Sequence, residues 1–358
     1  MPGLAKSIAS LPEPPSSQIE ESIETILSQV PFVRLKGWKR GAPLQGRRVD
    51  LVLDLMAGRE RWRVLVEAKG SGEPRLIRGA IQQLRTCLSG ARTYGVVAAP
   101  YIGPRSREIC KEEGVGFVDQ AGDCRLAFGQ VFIERQGFSN PKVERRPLRN
   151  LFTPKASRVL RVLLEEAERS WQVQAMAQKA QVSLGLAFKV KQRLLDLEYA
   201  REEDKGLRLT RPEELLRQWA ENYSYLKSSP LDCFASGELP EIERTLADYC
   251  RKNKIRYAFT LFSGAARTAP FARYSRGFAY AESDAAKLAK ALGWKPVPSG
   301  ANFTILNPFD EGLFYAARRV NGETVASDIQ LYLDLAGYKG RGEEAATFIL
   351  EQRLRPRW

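Results

Sequence analysis

The candidate catalytic side chains of this sequence lie within one stretch, residues 47–84. Asp50 stands in one apolar run, and Glu67 and Lys69 stand two positions apart in the next. Because successive side chains of a strand alternate between faces, Glu67 and Lys69 are predicted to share a face. Two carboxylates can hold Mg²⁺ or Mn²⁺ through oxygen, and the metal can polarise a phosphate. The stretch therefore predicts metal-assisted phosphodiester cleavage, with Asp50 and Glu67 as metal ligands.

Other polar residues could complete this site. Lys69 would position the attacking water or stabilise developing charge, and Gln83 would align the active-site waters from the following helix. Asp54 shares the predicted face of Asp50 as a spare ligand. The first helix offers three further carboxylates, among which the sequence does not choose: Glu20, Glu21 and Glu24. The alternative is a solvated face of an antiparallel hairpin, because Glu-x-Lys is common on strands.

The apolar periodicity predicts the elements that position these residues. Two strands joined by a turn at 57–60 carry Asp50 and Glu67, and Pro74 opens the helix that carries Gln83. The remaining predictions are a helix over 18–30, a short strand and basic loop over 31–43, a buried strand over 94–99, a helix near 105–113 and a strand over 116–119. The order α-β-β-β-α-β, followed by α-β, predicts a mixed sheet with helices on its faces.

Composition excludes several kinds of chemistry. The 358 residues contain no histidine, which excludes Ser-His-Asp and Cys-His catalysis and any histidine-ligated metal. The five scattered cysteines lack zinc spacing and are predicted to be reduced thiols. No apolar run approaches the roughly 20 residues that span a bilayer. These features predict a cytoplasmic protein without a membrane partner.

The charge distribution points to a polyanionic partner. The net charge is +14, and residues 1–150 hold 24 basic and 16 acidic side chains. A basic excess concentrated in one segment is typical of nucleic-acid binding, so double-stranded DNA is the first candidate. The alternative is a generally basic protein without such a partner.

A second pattern begins after a proline- and arginine-rich linker near residue 150. Helices at 155–168, 174–180 and 184–197, with a short strand at 171–173 and a hairpin at 199–210, follow the order of a winged helix-turn-helix. The predicted DNA-contacting residues are Ser183, Lys189, Lys191 and Arg193 on the second helix of the motif, and Arg201, Lys205 and Arg208 on or near the wing. The acidic trio at 202–204 favours the alternative of a protein-binding winged helix.

Residues 17–120 resemble the PD-(D/E)XK nuclease superfamily. The resemblance is carried by VDLVLDL at 49–55, VLVEAKG at 64–70 and QQL at 82–84. It places Asp50 at the metal-binding aspartate, Glu67 and Lys69 in the (D/E)xK motif, and Gln83 at a glutamine found in several branches. The resemblance implies a restriction-endonuclease-like core and Mg²⁺-dependent cleavage of DNA.

The last part resembles the C-terminal domain of AbiEi-type antitoxins and transcriptional regulators. The resemblance is carried by QLYLDL at 330–335 and RGEEAA at 341–346, with YAFTLFSGAARTAPFARY at 257–274 upstream. It implies a winged-helix DNA-binding regulator with a cognate toxin as partner. Asp334, Arg341 and Glu343 are expected to form stabilising ion pairs near a helix start. The nuclease-like segment that precedes the winged helix departs from the usual short AbiEi-like chain.

Together these patterns predict an α/β and α+β multidomain protein. The predicted domains are a nuclease-like domain at 1–150, a winged-helix domain at 151–230 and an AbiEi-like α/β domain at 231–358. Two functions compete: a DNA-binding regulator or antitoxin, and a Mg²⁺-dependent endonuclease targeted by the winged helix. A third is a partner-binding protein whose winged helix holds another protein.

Overall fold

The protein was analysed as a computed structural model that describes residues 16–138, 151–270 and 273–358, with side chains from Ile19 onward. It divides into two units, one ending at Glu144 and one beginning at Arg145. Each unit has its own sheet and its own hydrophobic core. Mixed α/β architecture, the coarser part of the predicted fold class, is thereby confirmed.

A seven-stranded mixed sheet in the order β1-β2-β3-β4-β5-β6-β7 organises the first unit. Its strands pair antiparallel except for β3 with β4 and β4 with β5, which are parallel. The elements in chain order are α1 (Ser16–Ser28), β1 (Val33–Leu44), β2 (Arg47–Ala57), β3 (Glu60–Ala68), α2 (Pro74–Cys87), β4 (Thr93–Ala99), α3 (Pro104–Glu112), β5 (Gly116–Asp119), β6 (Cys124–Phe128) and β7 (Val131–Arg135).

Both faces of this sheet are covered by helices. Apolar residues of α1, spaced three or four apart, pack with Leu53 and Val66 on one face, and α2 and α3 pack with Val52 and Leu65 on the other. Strand alternation therefore assigns even-numbered residues of β2 from Val52 onward, and odd-numbered residues of β3, to the α2 face. This periodicity lets the sequence predict which face carries the carboxylates.

The predicted α-β-β-β-α-β order and the following α-β pair are present in the first unit. The short strand and basic loop predicted over 31–43 are wrong, because β1 is one continuous 12-residue strand. β1 pairs with β2 along its length, and the register shifts by one residue at a β-bulge between Leu35 and Gly37. The β6–β7 hairpin lies outside the predicted series and extends the sheet to seven strands.

The second unit begins with three helices and a hairpin. These are α4 (Pro154–Glu165), α5 (Val173–Lys179), α6 (Leu184–Asp196), β8 (Ala200–Glu203) and β9 (Gly206–Leu209). Trp171 forms an isolated antiparallel bridge with Leu207, so the predicted strand at 171–173 is reduced to one bridging residue. The turn between α5 and α6 is tight, with Gln181 at φ 52°.

A second seven-stranded sheet follows, in the order β13-β10-β14-β12-β11-β16-β15. The remaining elements are α7 (Pro212–Glu221), β10 (Pro230–Phe234), α8 (Leu239–Lys252), β11 (Tyr257–Phe259), α9 (Leu261–Thr268), β12 (Gly277–Ala281), α10 (Ala285–Ala291), β13 (Lys295–Pro296), β14 (Phe303–Leu306), β15 (Arg318–Val320), β16 (Glu323–Val325), α11 (Asp328–Ala336) and α12 (Gly342–Ile349). β11 ends at Phe259, since Leu261 takes φ 48° and begins α9.

One hydrophobic core runs through both halves of the second unit. It joins Leu160 of α4 and Leu194 of α6 to Leu331 of α11 and Ile349 of α12. The helix-turn-helix segment and the second sheet therefore share buried surface across residue 231. The three-domain division stays a prediction, and 139–150 of the predicted linker lies outside the described residues. No helix within the described ranges has the length and apolar character to cross a membrane.

Candidate functional site

Asp50 and Glu67 meet at the ends of two paired strands. β2 and β3 pair antiparallel with Leu51 opposite Val66, so the next positions along place Asp50 beside Glu67. Asp50 is half-buried, and its Oδ2 accepts a hydrogen bond from the backbone N–H of Ala68 at 2.8 Å. Glu67 is only 6% exposed. The strand pairing thus leaves the carboxylate of Asp50 half-buried and buries that of Glu67 beside it.

Lys69 and Gln83 complete a connected polar group at this position. The Lys69 ammonium donates to Glu67 Oε2 at 3.2 Å and to Gln83 Oε1 at 2.8 Å. Lys69 is held just past β3 by its backbone N–H, which donates to the carbonyl of Ala98 at 2.8 Å. The structure therefore brings together the four residues that the sequence predicted for catalysis. Their catalytic role stays a prediction.

The electrostatics of this group suit a divalent cation. Burial raises the pKa of the Glu67 carboxyl, and the negative charge of Asp50 raises it further, against the opposing effect of Lys69. Two adjacent carboxylates, one of them buried, carry a repulsion that a divalent cation would relieve. Mg²⁺ is commonly bound by one or two carboxylates together with waters and phosphate oxygens. Asp50 and Glu67 fit that donor set.

The other predicted carboxylates do not join this pair. Asp54 lies on the same face but forms ion pairs with Arg61 at 3.4 Å and Arg63 at 3.6 Å. Glu20 of α1 forms a two-pronged ion pair with Arg40 of β1. Among the described residues, no group of three or more carboxylate or thiol side chains could hold a metal. Within the described part of the chain, the carboxylates available to a metal here are those of Asp50 and Glu67.

We expect Glu67→Gln to stabilise the metal-free protein by about 0.5–2 kcal/mol, the range common for single stabilising substitutions. Glutamine keeps an oxygen for Lys69 but removes a buried charge beside Asp50. Below the ordinary carboxyl pKa, Glu67 is protonated in both folded and unfolded chains, so the gain should vanish there. It should grow as pH rises through the raised pKa of the folded protein. Thermal unfolding at several pH values measures it, and a gain that is independent of pH would contradict this explanation.

Helix α6 presents an exposed face that differs from the predicted one. Ser183 caps the helix by accepting a hydrogen bond from Leu186 N–H at 3.3 Å. Leu184 and Phe188 are 57% and 50% exposed, and Lys189 is exposed beside them. Leu184 and Phe188 were not predicted as functional residues. They lie four positions apart and outside the buried positions of α6, a spacing that indicates a shared exposed face.

The buried line of α6 consists of Ala187, Val190 and Leu194. Lys191, predicted to contact DNA, forms an ion pair with Glu202 of the hairpin, and its side chain is 15% exposed. Arg193 is half-buried. In the hairpin, both Arg201 and Arg208 lie within ion-pair distance of Glu203, and Lys205 at the tip is exposed. Lys189 and Lys205 are thus the predicted contacts that point outward without an ion pair among the described residues.

A buried polar cluster lies at the centre of the second unit. Asp334 is fully buried and accepts hydrogen bonds from the hydroxyl groups of Tyr223 at 2.7 Å and Tyr280 at 2.9 Å, the side-chain amide of Gln330 at 2.7 Å, and the hydroxyl group of Thr260. Burial raises the pKa of Asp334. The predicted ion pair for Asp334 is wrong, because its partners are these neutral donors. Arg341 instead pairs with Glu344 at 3.6 Å.

Comparison with known proteins gives one family match. Residues 208–355 match the model of a family described as transcriptional regulator, AbiEi antitoxin, type IV toxin–antitoxin system. No curated protein matches the chain. Among solved structures, the crystal structure of a repair endonuclease from Pyrococcus abyssi aligns with 31% of this chain and 49% of its own, at 14% identity and a TM-score of 0.24.

The chain therefore spans about half the length of that endonuclease, and a TM-score of 0.24 does not establish a shared fold. The family match covers the last two residues of β9, α7, the second sheet and the C-terminal helices. It leaves the first unit and most of the helix-turn-helix segment unmatched. Similarity to the AbiEi antitoxin regulators is therefore found over residues 208–355.

Proposed function

We propose that this protein is a DNA-binding transcriptional regulator and antitoxin of a type IV toxin–antitoxin locus, and that its second unit contacts operator DNA. The observation that carries the proposal is the exposed face of α6, which directly precedes the part of the second unit that is similar to the AbiEi regulators. The helix-turn-helix with its β8–β9 hairpin has the element order of a winged helix. In such motifs the second helix enters the major groove and its N-terminal residues contact the bases. A cognate toxin is the expected protein partner.

The exposed residues of α6 suit base contact. Phe188 offers an apolar surface of the kind that packs on thymine methyl groups, and Lys189 adds a cation for a phosphate. Gly185 lies on the same side of the helix, with open space where a side chain would be. This bare position allows the helix backbone to approach the groove closely. Lys205 at the hairpin tip would contact the phosphate backbone of the DNA.

We expect the Phe188→Ala/Lys189→Ala double variant to bind its own promoter fragment at least tenfold more weakly, because one base contact and one phosphate contact are lost. Fluorescence anisotropy with the labelled promoter duplex measures the affinity. Phe234→Ala/Lys290→Ala is the matched control, since Phe234 is 46% exposed and Lys290 is exposed in the second sheet region. Equal affinity of the double variant and the wild type would overturn the placement of DNA on α6.

A second candidate function rests on the first unit. We infer that Asp50, Glu67, Lys69 and Gln83 form the site of a metal-dependent endonuclease, because the four side chains converge at one end of β2 and β3. Asp50 and Glu67 would hold Mg²⁺, which when bound supplies charge neutralisation at the scissile phosphate. Lys69 would stabilise negative charge developing on the phosphate, and Gln83 holds its ammonium in place. Metal-dependent nicking of a plasmid, lost in Lys69→Ala, tests this function.

A further inference from the structure

The sheet face that carries Asp50 and Glu67 continues into an exposed basic surface. Arg34 of β1 lies opposite Met56 of β2, and Lys39 lies opposite Val52. On the other side of β2, Arg61 lies opposite Met56 and Arg63 opposite Asp54. We call the four basic residues the basic ledge: Arg34, Lys39, Arg61 and Arg63.

The packing of the neighbouring residues fixes the face of the ledge. Val33 and Leu55 belong to the α1-side core, so Arg34, between Val33 and Leu35 in the chain, points to the opposite face. Val52 belongs to the α2-side core, and its cross-strand partner Lys39 shares its face. Arg61 and Arg63 flank Trp62, which packs on the α1 side, and both reach Asp54. All four cations therefore lie on the face of the candidate metal site.

Charge on the ledge is largely uncompensated. All four side chains are exposed, and among the described residues Asp54 is the acidic side chain that pairs with them, through Arg61 and Arg63. No acidic residue occurs between positions 31 and 49. The strand positions from Asp50 to Met56 span about 20 Å at roughly 3.3 Å per residue. A nucleic-acid backbone offers regularly spaced phosphates over such a length.

We propose that the basic ledge binds the phosphate backbone of double-stranded DNA and leads it to the Asp50–Glu67 pair. This proposal extends the endonuclease function. It rests on that function for the claim that the bound DNA strand leads to the Asp50–Glu67 pair. Duplex is favoured over single-stranded DNA because the ledge exposes cations and Met56 but no aromatic ring, and single-strand sites combine cations with rings on which bases stack. Trp38 and Trp62 lie on the other face, beside the α1-side core.

The test is the salt dependence of DNA binding by the full chain. The probe is a labelled 20-base-pair duplex of arbitrary sequence, titrated in EDTA from 50 to 200 mM salt to prevent cleavage. All proteins carry Phe188→Ala and Lys189→Ala, so that contacts by α6 are reduced equally. The variant Arg34→Ala/Lys39→Ala/Arg61→Ala leaves Arg63 to pair with Asp54. We expect the slope of log affinity against log salt to become shallower by about three, one for each lost contact.

A matched variant separates a local site from net charge. Lys111→Ala/Lys287→Ala/Lys290→Ala removes three positive charges from exposed positions on α3 and α10. We expect its slope to change by less than about one. Equal slope changes in the two triple variants would overturn the ledge, and so would tighter binding of a single-stranded 20-mer than of the duplex.

The outcome is separable from that of the endonuclease function. If no DNA is cleaved in Mg²⁺ or Mn²⁺, but the ledge variant and not the matched triple variant shows a shallower salt dependence of binding, DNA binding by the ledge is supported and the endonuclease function is rejected. If Lys69→Ala abolishes cleavage while the ledge variant binds and cleaves like the wild type, the ledge falls and the catalytic function stands. Thermal unfolding of the ledge variant should match the wild type, because its three substituted side chains are exposed.

Discussion

Lys69→Ala is expected to lower Mg²⁺-dependent nicking of plasmid DNA by at least about 10²-fold, and up to about 10⁴-fold. The Lys69 ammonium donates to the carboxylate of Glu67 at 3.2 Å and to the side-chain oxygen of Gln83 at 2.8 Å. Its removal takes away the charge that would face the developing negative phosphate. It also leaves Glu67 buried without its counter-ion, which raises the pKa of that carboxyl further and weakens it as a metal ligand.

The measurement is conversion of supercoiled plasmid to open-circular and linear forms in Mg²⁺ or Mn²⁺, with EDTA as the metal-free control. Lys111→Ala, on α3 of the same unit, is the matched variant and should cleave like the wild type. Nicking that persists in Lys69→Ala would place the activity elsewhere. Absence of cleavage by the wild type on plasmid, linear duplex and single-stranded DNA or RNA would remove the endonuclease function and leave the regulator.

Asp334→Ala should destabilise the second unit by about 3–5 kcal/mol, because a buried hydrogen-bond network loses its common acceptor. Four donors lose their acceptor at once: Tyr223, Tyr280, Thr260 and Gln330. Each buried donor left without a partner costs about 1–3 kcal/mol before relaxation. Nearby Arg161 is fully buried and loses a negative charge that favours its own charged form. The cluster joins the chain after α7 and strand β12 to α11, so its loss is expected to loosen the core of the second unit.

Asp334→Asn is the informative partner of that variant. Asparagine keeps one oxygen acceptor and nearly the same volume but carries no charge, so we expect a smaller loss of stability than for alanine. Burial raises the pKa of Asp334, so in the wild type its stabilising contribution is full below the ordinary carboxyl pKa and falls as pH rises through the raised value. Asp334→Asn should lack that dependence. Scanning calorimetry from mildly acidic to neutral pH measures both effects, and a loss under about 1 kcal/mol for Asp334→Ala would show that the cluster contributes little.

The two largest effects fall in different units and have different physical causes. Lys69 acts at the end of two strands, where a charged group can reach a ligand, and its loss is expected to change a rate. Asp334 is sealed in a core, and its loss is expected to change the free energy of unfolding. Lys69→Ala should therefore leave the unfolding of the second unit unchanged, because the two units have separate cores.

Local periodicity predicted the order of helices and strands around Asp50 and the face shared by Glu67 and Lys69. These are local consequences of a period of two and of turn residues such as Gly58, which takes φ 59° between β2 and β3. The same reasoning placed the helices and hairpin of the second unit within a few residues. Apolar periodicity carries this information because it reflects which side of an element meets the core.

The partners of charged side chains depend on tertiary contacts, and the local spacing of residues does not encode these partners. Lys191 is paired with Glu202 rather than exposed, and Leu184 and Phe188 occupy the outer face of α6 instead. The local sequence predicted an ion pair for Asp334, but its partners are hydrogen-bond donors up to 111 positions away in the chain. The basic ledge likewise exists only because β1, β2 and β3 pair in one register. Long side chains and distant strands find one another through packing of the whole core, so these contacts follow from the fold and not from the neighbouring sequence.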